Sequence, residues 1–237
     1  MKLPIYLFTF DSTWLCASTF MRFQEHYESP VYKGKIFSRE EFEDWYVYTH
    51  DSPYHLDWSG FNLPVESLWP FFQNQFPQLS RKEAMVLEIL AEEVMRNGNK
   101  GYVIACSNND AATCAHEIVH AVYYLFPEYK EKVDKLLDTY DPRHIIDLCA
   151  HLSTIGYREE VFYDEINAYA CTGEGDFRIP SELKKALKKL FAKHVPKVWG
   201  KNWMPAWSSM VNRFHFTNDR GQCKQYWVSY DDNGHQG

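Results

Sequence analysis

One five-residue string restricts how this chain can fold more than any other feature: His116-Glu117-Ile118-Val119-His120. With ten histidines in 237 residues, the composition predicts such a string only roughly 0.03 times by chance. Residues four apart lie on one face of an α-helix, so a helix here would direct both imidazoles toward a single ion. Uncharged neighbours favour a buried helix, and they include Cys114, Ile118, Val119 and Ala121. The string therefore predicts a metal site on a buried helix, although two histidines hydrogen-bonded within an amphipathic helix remain the alternative.

A third ligand must come from elsewhere in the chain. The string supplies two ligands, whereas a catalytic zinc usually takes three from the protein and leaves the fourth position to water or substrate. In a metzincin the string would continue with a Gly and a third His, but Tyr123 and Phe126 stand at those positions. We therefore expect a downstream acid or histidine to complete the site.

Glu165 is the acid whose position best fits that role. It lies on the apolar stripe of a helix predicted near 157–172, while Glu160 and Asp164 fall on a neighbouring face that we expect to meet solvent. A buried carboxylate is costly unless its charge is compensated, and a metal ion compensates it. The alternative is a carboxylate at the edge of the core that pairs with Arg158 or another base.

Two histidines are alternative ligands. His144 and His151 lie seven residues apart on one helical face between the two motifs.

Catalysis at a metal site also needs a hydrogen-bond donor for the developing oxyanion. Four residues are candidates for that donor, and the sequence does not choose among Tyr157, Tyr163, His151 and His215.

The flanks of both motifs resemble a known superfamily. Thr113 to Val122 resembles the extended motif of zincin metallopeptidases, and Glu165-Ile-Asn-Ala-Tyr-Ala is similar to the glutamate helix of gluzincins. The resemblance covers about residues 80–172, where the expected order of helix, strand, HExxH helix and glutamate helix corresponds to 81–97, 102–106, 110–126 and 157–172.

The resemblance implies a Zn2+ site with His116, His120 and Glu165 as ligands. It also implies that Glu117 acts as the general base of a peptidase. The thermolysin type places an acid four residues after the ligand Glu to hold a zinc histidine, but here Tyr169 stands at that position. The group that orients His116 or His120 therefore stays open.

The expected fold is α+β, with a zincin-like catalytic domain that has a small mixed sheet and a mainly helical lower half. Residues 1–79 are predicted to form an aromatic-rich N-terminal segment that packs on a metallopeptidase domain with a C-terminal extension over 80–237. Ile5–Phe10 is predicted as a first strand. A second predicted strand, Tyr102–Cys106, would offer a free antiparallel edge to an extended peptide.

The expected function is zinc-dependent hydrolysis of peptide bonds in a peptide or protein substrate. The ion would activate a water molecule, and Glu117 would accept its proton and return it to the leaving amine. Two alternatives from other classes stay open. One is a catalytically silent zinc-binding regulatory or interaction module, and the other is a metal-free helical interaction protein.

Charge and cysteine usage restrict partners and compartment. The net charge of −7 argues against nucleic-acid binding. The Lys-rich helix predicted over 181–196 is either a dock for an acidic partner or lipid surface, or an ordinary solvated face.

Six widely spread cysteines and the lack of a clear signal peptide predict free thiols and a cytoplasmic protein, with secretion by a non-standard route as the alternative. No apolar run is long enough to span a membrane.

Overall fold

A computed structural model gives the structure of the chain and describes residues 3–96, 100–107, 110–173, 178–194, 211–219 and 222–227. The contacts group the chain into two compact units. Unit 1 comprises Met1–Cys114 with Ser208–Gly237, and unit 2 comprises Ala115–Trp207. Helices and one mixed sheet make up the described part, so the predicted α+β class is confirmed. The units divide the chain at positions other than the predicted boundary between 79 and 80.

Unit 1 contains a five-stranded sheet in the order β2-β3-β1-β4-β5. Its strands are β1 Ile5–Phe10, β2 Gly60–Pro64, β3 Tyr102–Ser107, β4 Asn212–Asp219 and β5 Gln222–Trp227. β1 runs parallel to both β3 and β4, while β2 and β5 pair antiparallel with β3 and β4 respectively. All six residues of β1 are buried, as expected for a central strand that is covered on both faces. The predicted strand Ile5–Phe10 is thus confirmed.

The predicted free edge of the Tyr102–Cys106 strand is wrong. β3 is hydrogen-bonded to β1 on one side and to β2 on the other, so neither edge is open to a peptide. The physical reason is that the N-terminal segment itself supplies both neighbours. Residues 1–79 therefore contribute strands to the same sheet as β3.

Five helices of unit 1 surround an aromatic core on one face of this sheet. They are α1 Thr13–Glu28, α2 Arg39–His50, α3 Tyr54–Asp57, α4 Trp69–Phe72 and α5 Arg81–Arg96. Capping boxes at Ser38 and Ser80 open α2 and α5, since each serine side chain accepts from a backbone N–H three residues later and the Glu at that position accepts from the serine backbone N–H. The core includes Phe8, Phe20, Phe42, Phe61 and Phe214.

Unit 2 is helical in its described residues. It contains α7 Pro127–Asp138, α8 Pro142–Thr154, α9 Phe162–Thr172 and α10 Ser181–His194, and it takes most of α6 Ala111–Leu125. Asp110 caps α6 by accepting from the Thr113 backbone N–H, and Asp141 caps α8 in the same way through Arg143. A three-residue 3-10 turn, Glu159–Val161, leads into α9.

The prediction of six free thiols is wrong. Cys106 and Cys114 form a disulfide that ties the end of β3 to the first turns of α6. Cys16, Cys149 and Cys171 are free, and the side chain of Cys223 lies outside the described part. The two bonded cysteines are eight residues apart, one on β3 and the other on α6, and their spacing in the sequence does not reveal that these two elements bring them together. The prediction of a cytoplasmic location rested on free thiols and on the lack of a clear signal peptide. The disulfide removes the first of these two arguments.

None of the helices in the described residues is long and apolar enough to cross a membrane.

Candidate metal centre

α6 presents the two histidines and the glutamate of the HExxH string from one buried segment. Ile118, Val119 and Val122 are fully buried and hold the helix in place. His116 is 7% exposed, His120 is 3% exposed and Glu117 is 7% exposed. The predicted buried helix is therefore confirmed. It carries three polar side chains whose burial must be compensated by hydrogen bonds or by opposite charge.

α9 brings Glu165 to this pair of histidines. Glu165 Oε2 lies 3.4 Å from His116 Nε2, and Glu165 Oε1 lies 3.5 Å from His120 Nε2. One ligand atom from each of the three residues lies within 4.8 Å of the others. Glu165 is buried, and its Oε2 accepts no hydrogen bond. The structure thus brings together the three residues that were predicted as ligands.

The donor set can hold a metal ion. Two imidazole nitrogens and one carboxylate oxygen suit zinc and similar transition metals, whereas Mg2+ and Ca2+ prefer oxygen alone. Ligand atoms at 2.0–2.1 Å around a tetrahedral ion lie about 3.3 Å from each other. The two shortest contacts, 3.4 and 3.5 Å, involve different oxygens of Glu165, and the wider limit of 4.8 Å for one ligand atom per residue requires small side-chain shifts to reach that value. The residues present therefore fit a small tetrahedral cation.

The electrostatics of the site show an excess of negative charge. Burial alone would lower the pKa of His120, but Asp164 and Glu165 beside the ring outweigh it and raise this pKa well above 6.5. Burial raises the pKa of Glu165 to about 7, although His120 opposes this. Since metal ligands must be deprotonated, a cation bound here would compete with protons for these groups.

Asp164 does not point to solvent, contrary to prediction. Its Oδ1 lies 2.9 Å from His120 Nδ1, and its side chain is only 21% exposed. His120 therefore lies between two carboxylates, with Glu165 at one ring nitrogen and Asp164 at the other. Asp164 therefore approaches the ring nitrogen of His120 that faces away from Glu165, although its Oδ1 meets no hydrogen-bond donor of suitable geometry in the described residues. Glu160 is solvent-exposed as predicted, and Arg158 pairs with Glu160 rather than with Glu165.

A pair of tyrosines lies beside the cluster. The ring of Tyr169 is 4.7 Å from that of His116, and its hydroxyl oxygen is 3.3 Å from the hydroxyl of Tyr157. Burial raises the pKa of Tyr157, and the charges of Glu165 and Glu117 raise it further. Tyr157 therefore stays protonated, and its hydroxyl can donate a hydrogen bond.

The other candidate donors and ligands lie elsewhere. Tyr163 donates to Asp138 at 2.8 Å. His144 and His151 are exposed on α8, and neither belongs to the cluster. His215 lies in unit 1 against Thr9 and Asp11. Of the four residues proposed as oxyanion donors, the geometry favours Tyr157.

A buried polar contact fixes α9 within unit 2. The hydroxyl of Tyr129 on α7 donates to Asn167 Oδ1 at 2.7 Å, and both residues are fully buried. Asn167 is two residues from Glu165, so this bond restricts rotation of the helix that carries the third ligand. The gluzincin-like string contains this Asn, but nothing in the sequence identifies Tyr129 as its partner.

Comparison with known proteins adds no relative: no protein-family model, no curated protein and no solved structure matches this chain. The site must therefore be interpreted from its own chemistry.

Proposed function

We propose that this protein is a zinc-dependent metallopeptidase, with Zn2+ held by His116, His120 and Glu165. The observation that carries the proposal is the close approach of these three buried side chains, with Glu117 directly after His116 on the same helix. A bound zinc supplies Lewis acidity and a water molecule of lowered pKa. No oxygen-only cation would use two imidazoles in this way.

The residues of the chain supply the remaining chemistry. The Glu117 carboxylate accepts a proton from the attacking water and delivers it to the nitrogen of the leaving amine. The Tyr157 hydroxyl donates a hydrogen bond to the carbonyl oxygen of the scissile peptide as negative charge develops there. Asp164 holds the His120 ring in one orientation through Nδ1. The position of each group around the cluster supports the role that we assign to it.

The decisive experiment combines metal analysis with a base variant. Elemental analysis of the purified full chain should find one zinc per molecule, and a peptide library should be hydrolysed. Glu117→Gln should keep the zinc and lose about 10²–10⁴-fold in turnover, because the variant retains the shape of the side chain but not the base. His116→Ala and His120→Ala should lose zinc and activity together.

The outcomes separate the proposal from its alternatives. Bound zinc without hydrolysis of any library peptide indicates the catalytically silent regulatory or interaction module. Protein that binds no zinc or similar cation at neutral pH contradicts the metal site altogether. Full activity in Glu117→Gln contradicts the assigned base even if zinc is present.

A further inference from the structure

Four exposed lysines form a stripe along α10, in unit 2. The lysine stripe is defined as Lys185, Lys188, Lys189 and Lys193. At 100° per residue these side chains fall within an arc of about 140°, opposite the apolar face of the helix. That apolar face, Leu183, Leu187 and Phe191, is fully buried. The solvent-exposed surface of the helix is therefore almost entirely cationic.

The charge of this stripe is not neutralised within the described part of the chain. None of its four lysines forms an ion pair there, whereas Lys130 on α7 pairs with Asp134 at 2.6 Å. Glu182 is the single acid on α10. In the sequence that follows, 195–207 adds Lys197 and Lys201 and contains no acid. An acidic protein with a net charge of −7 thus concentrates unpaired positive charge on one helix.

The positive surface extends beyond α10 at one end. Lys132 on α7 is exposed, and its Nζ lies 3.0 Å from Nε2 of His194 at the last position of the helix. The contact places a further lysine at the C-terminal end of α10, although Glu128 and Glu131 are also exposed on α7. The cationic surface is therefore that of α10, and α7 adds to it only beside His194.

We propose that the lysine stripe docks the protein on an anionic phospholipid membrane. Lysine ammonium groups act as point charges and provide no bidentate fork for carboxylates, so they suit a broad anionic surface better than a specific acidic peptide. Ala192 is the one apolar residue among the stripe lysines, so the stripe offers no anchor that would select a side chain. The buried apolar face prevents α10 from inserting, and the contact is therefore peripheral and electrostatic.

This proposal is independent of the metal site, because it rests on the charge of α10 alone. The experiment measures binding of the full chain to vesicles of phosphatidylcholine with and without phosphatidylserine. We expect binding only to the vesicles that contain phosphatidylserine. It should weaken steeply between about 0.1 M and about 1 M NaCl, as the screening length falls from about 10 Å to about 3 Å.

A double variant with a matched control tests the site. Lys185→Gln with Lys189→Gln should lower the vesicle partition coefficient about thirtyfold, since each lysine near such a surface contributes about fivefold. Lys33→Gln with Lys35→Gln removes two exposed lysines of unit 1 and should change binding little. Far-UV circular dichroism should be the same for both variants, since all four side chains are exposed.

Three results would overturn the inference. The first is no binding of the wild-type chain to phosphatidylserine vesicles at about 0.1 M salt. The second is an equal loss in both double variants, which would indicate an effect of total charge. The third is binding to soluble polyglutamate but not to vesicles, which would identify an acidic polypeptide as the partner.

Discussion

Each of the two units buries a cluster of charged side chains, but the two clusters differ in the kinds of groups that they bring together. In unit 1, Arg22 and Glu83 are almost fully buried, and both carboxylate oxygens of Glu83 accept from the guanidinium at 2.7 Å. The remaining donors of Arg22 bond to the backbone oxygens of Pro77 and Gln78. This cluster contains one positive and one negative charge, and its hydrogen bonds are satisfied.

The cluster in unit 2 contains three acids and two histidines. Asp164 lies against one ring nitrogen of His120, Glu165 lies between His116 and His120, and Glu117 follows His116 on the same helix. Asp164 and Glu165 raise the pKa of His120, and burial raises the pKa of Glu165. The pair in unit 1 joins two opposite charges, so removing one partner is costly. The cluster in unit 2 joins carboxylates with two imidazoles, which is a donor set that a cation can use.

The largest effect is expected from removing the charge of the third ligand. Glu165→Gln should lower zinc affinity by several orders of magnitude, because a neutral amide is a poor zinc ligand. The variant also lacks the negative charge of Glu165 that would balance the charge of the ion. Competition with a chelator measures the affinity. Glu160→Gln makes the same chemical change on an exposed neighbour and should alter affinity little. Zinc release by Glu160→Gln or His151→Ala, but not by Glu165→Gln, would reject the ligand assignment.

Breaking the balanced pair should cost stability rather than metal. Arg22→Met leaves the Glu83 carboxylate buried and unpaired, so we expect the free energy of unfolding to fall by about 3–5 kcal/mol. Urea denaturation measures this, and the zinc content of the folded chain should not change. Arg39→Gln removes half of a partly exposed ion pair on α2 and should cost at most about 0.5 kcal/mol. Equal losses in the two variants would mean that burial does not decide the effect.

The disulfide should stabilise the protein without taking part in metal binding. Replacing Cys106 and Cys114 by Ser opens a short loop, and the loop-closure entropy corresponds to about 2–3 kcal/mol of unfolding free energy. Denaturation with and without dithiothreitol checks the origin of the loss. The reductant should destabilise the wild type and leave the double variant unchanged. Titration of six free thiols in denatured, unreduced protein would contradict the disulfide.

The smallest effect is expected from the orienting carboxylate. Asp164→Asn should weaken zinc binding about 10–100-fold, because it removes the charge at His120 Nδ1 but leaves the ligands in place. Asp147→Asn, on the exposed face of α8, is the matched control and should have no effect. An unchanged affinity in Asp164→Asn would show that His120 is oriented by packing alone.

Local features could be predicted from the sequence because their causes are local. The capping boxes at Ser38 and Ser80, the buried strand Ile5–Phe10 and the helix of the HExxH string depend on residues at most a few positions apart. Helix α1 could not be predicted by the same reasoning. Its buried residues run continuously from Leu15 to Gln24, so its sequence shows no amphipathic stripe.

What the sequence alone determined is the set of side chains that can meet on one helical face. Helical periodicity places His116 with His120, and puts Glu165 on the inner stripe of its own helix. Only the tertiary structure decided that Asp164 reaches His120, that β3 has no free edge and that Cys106 bonds to Cys114. These outcomes depend on how separate segments meet. Contacts between residues or strands that are distant in the sequence follow from the packing of the whole unit, and the spacing of residues along the chain does not encode them.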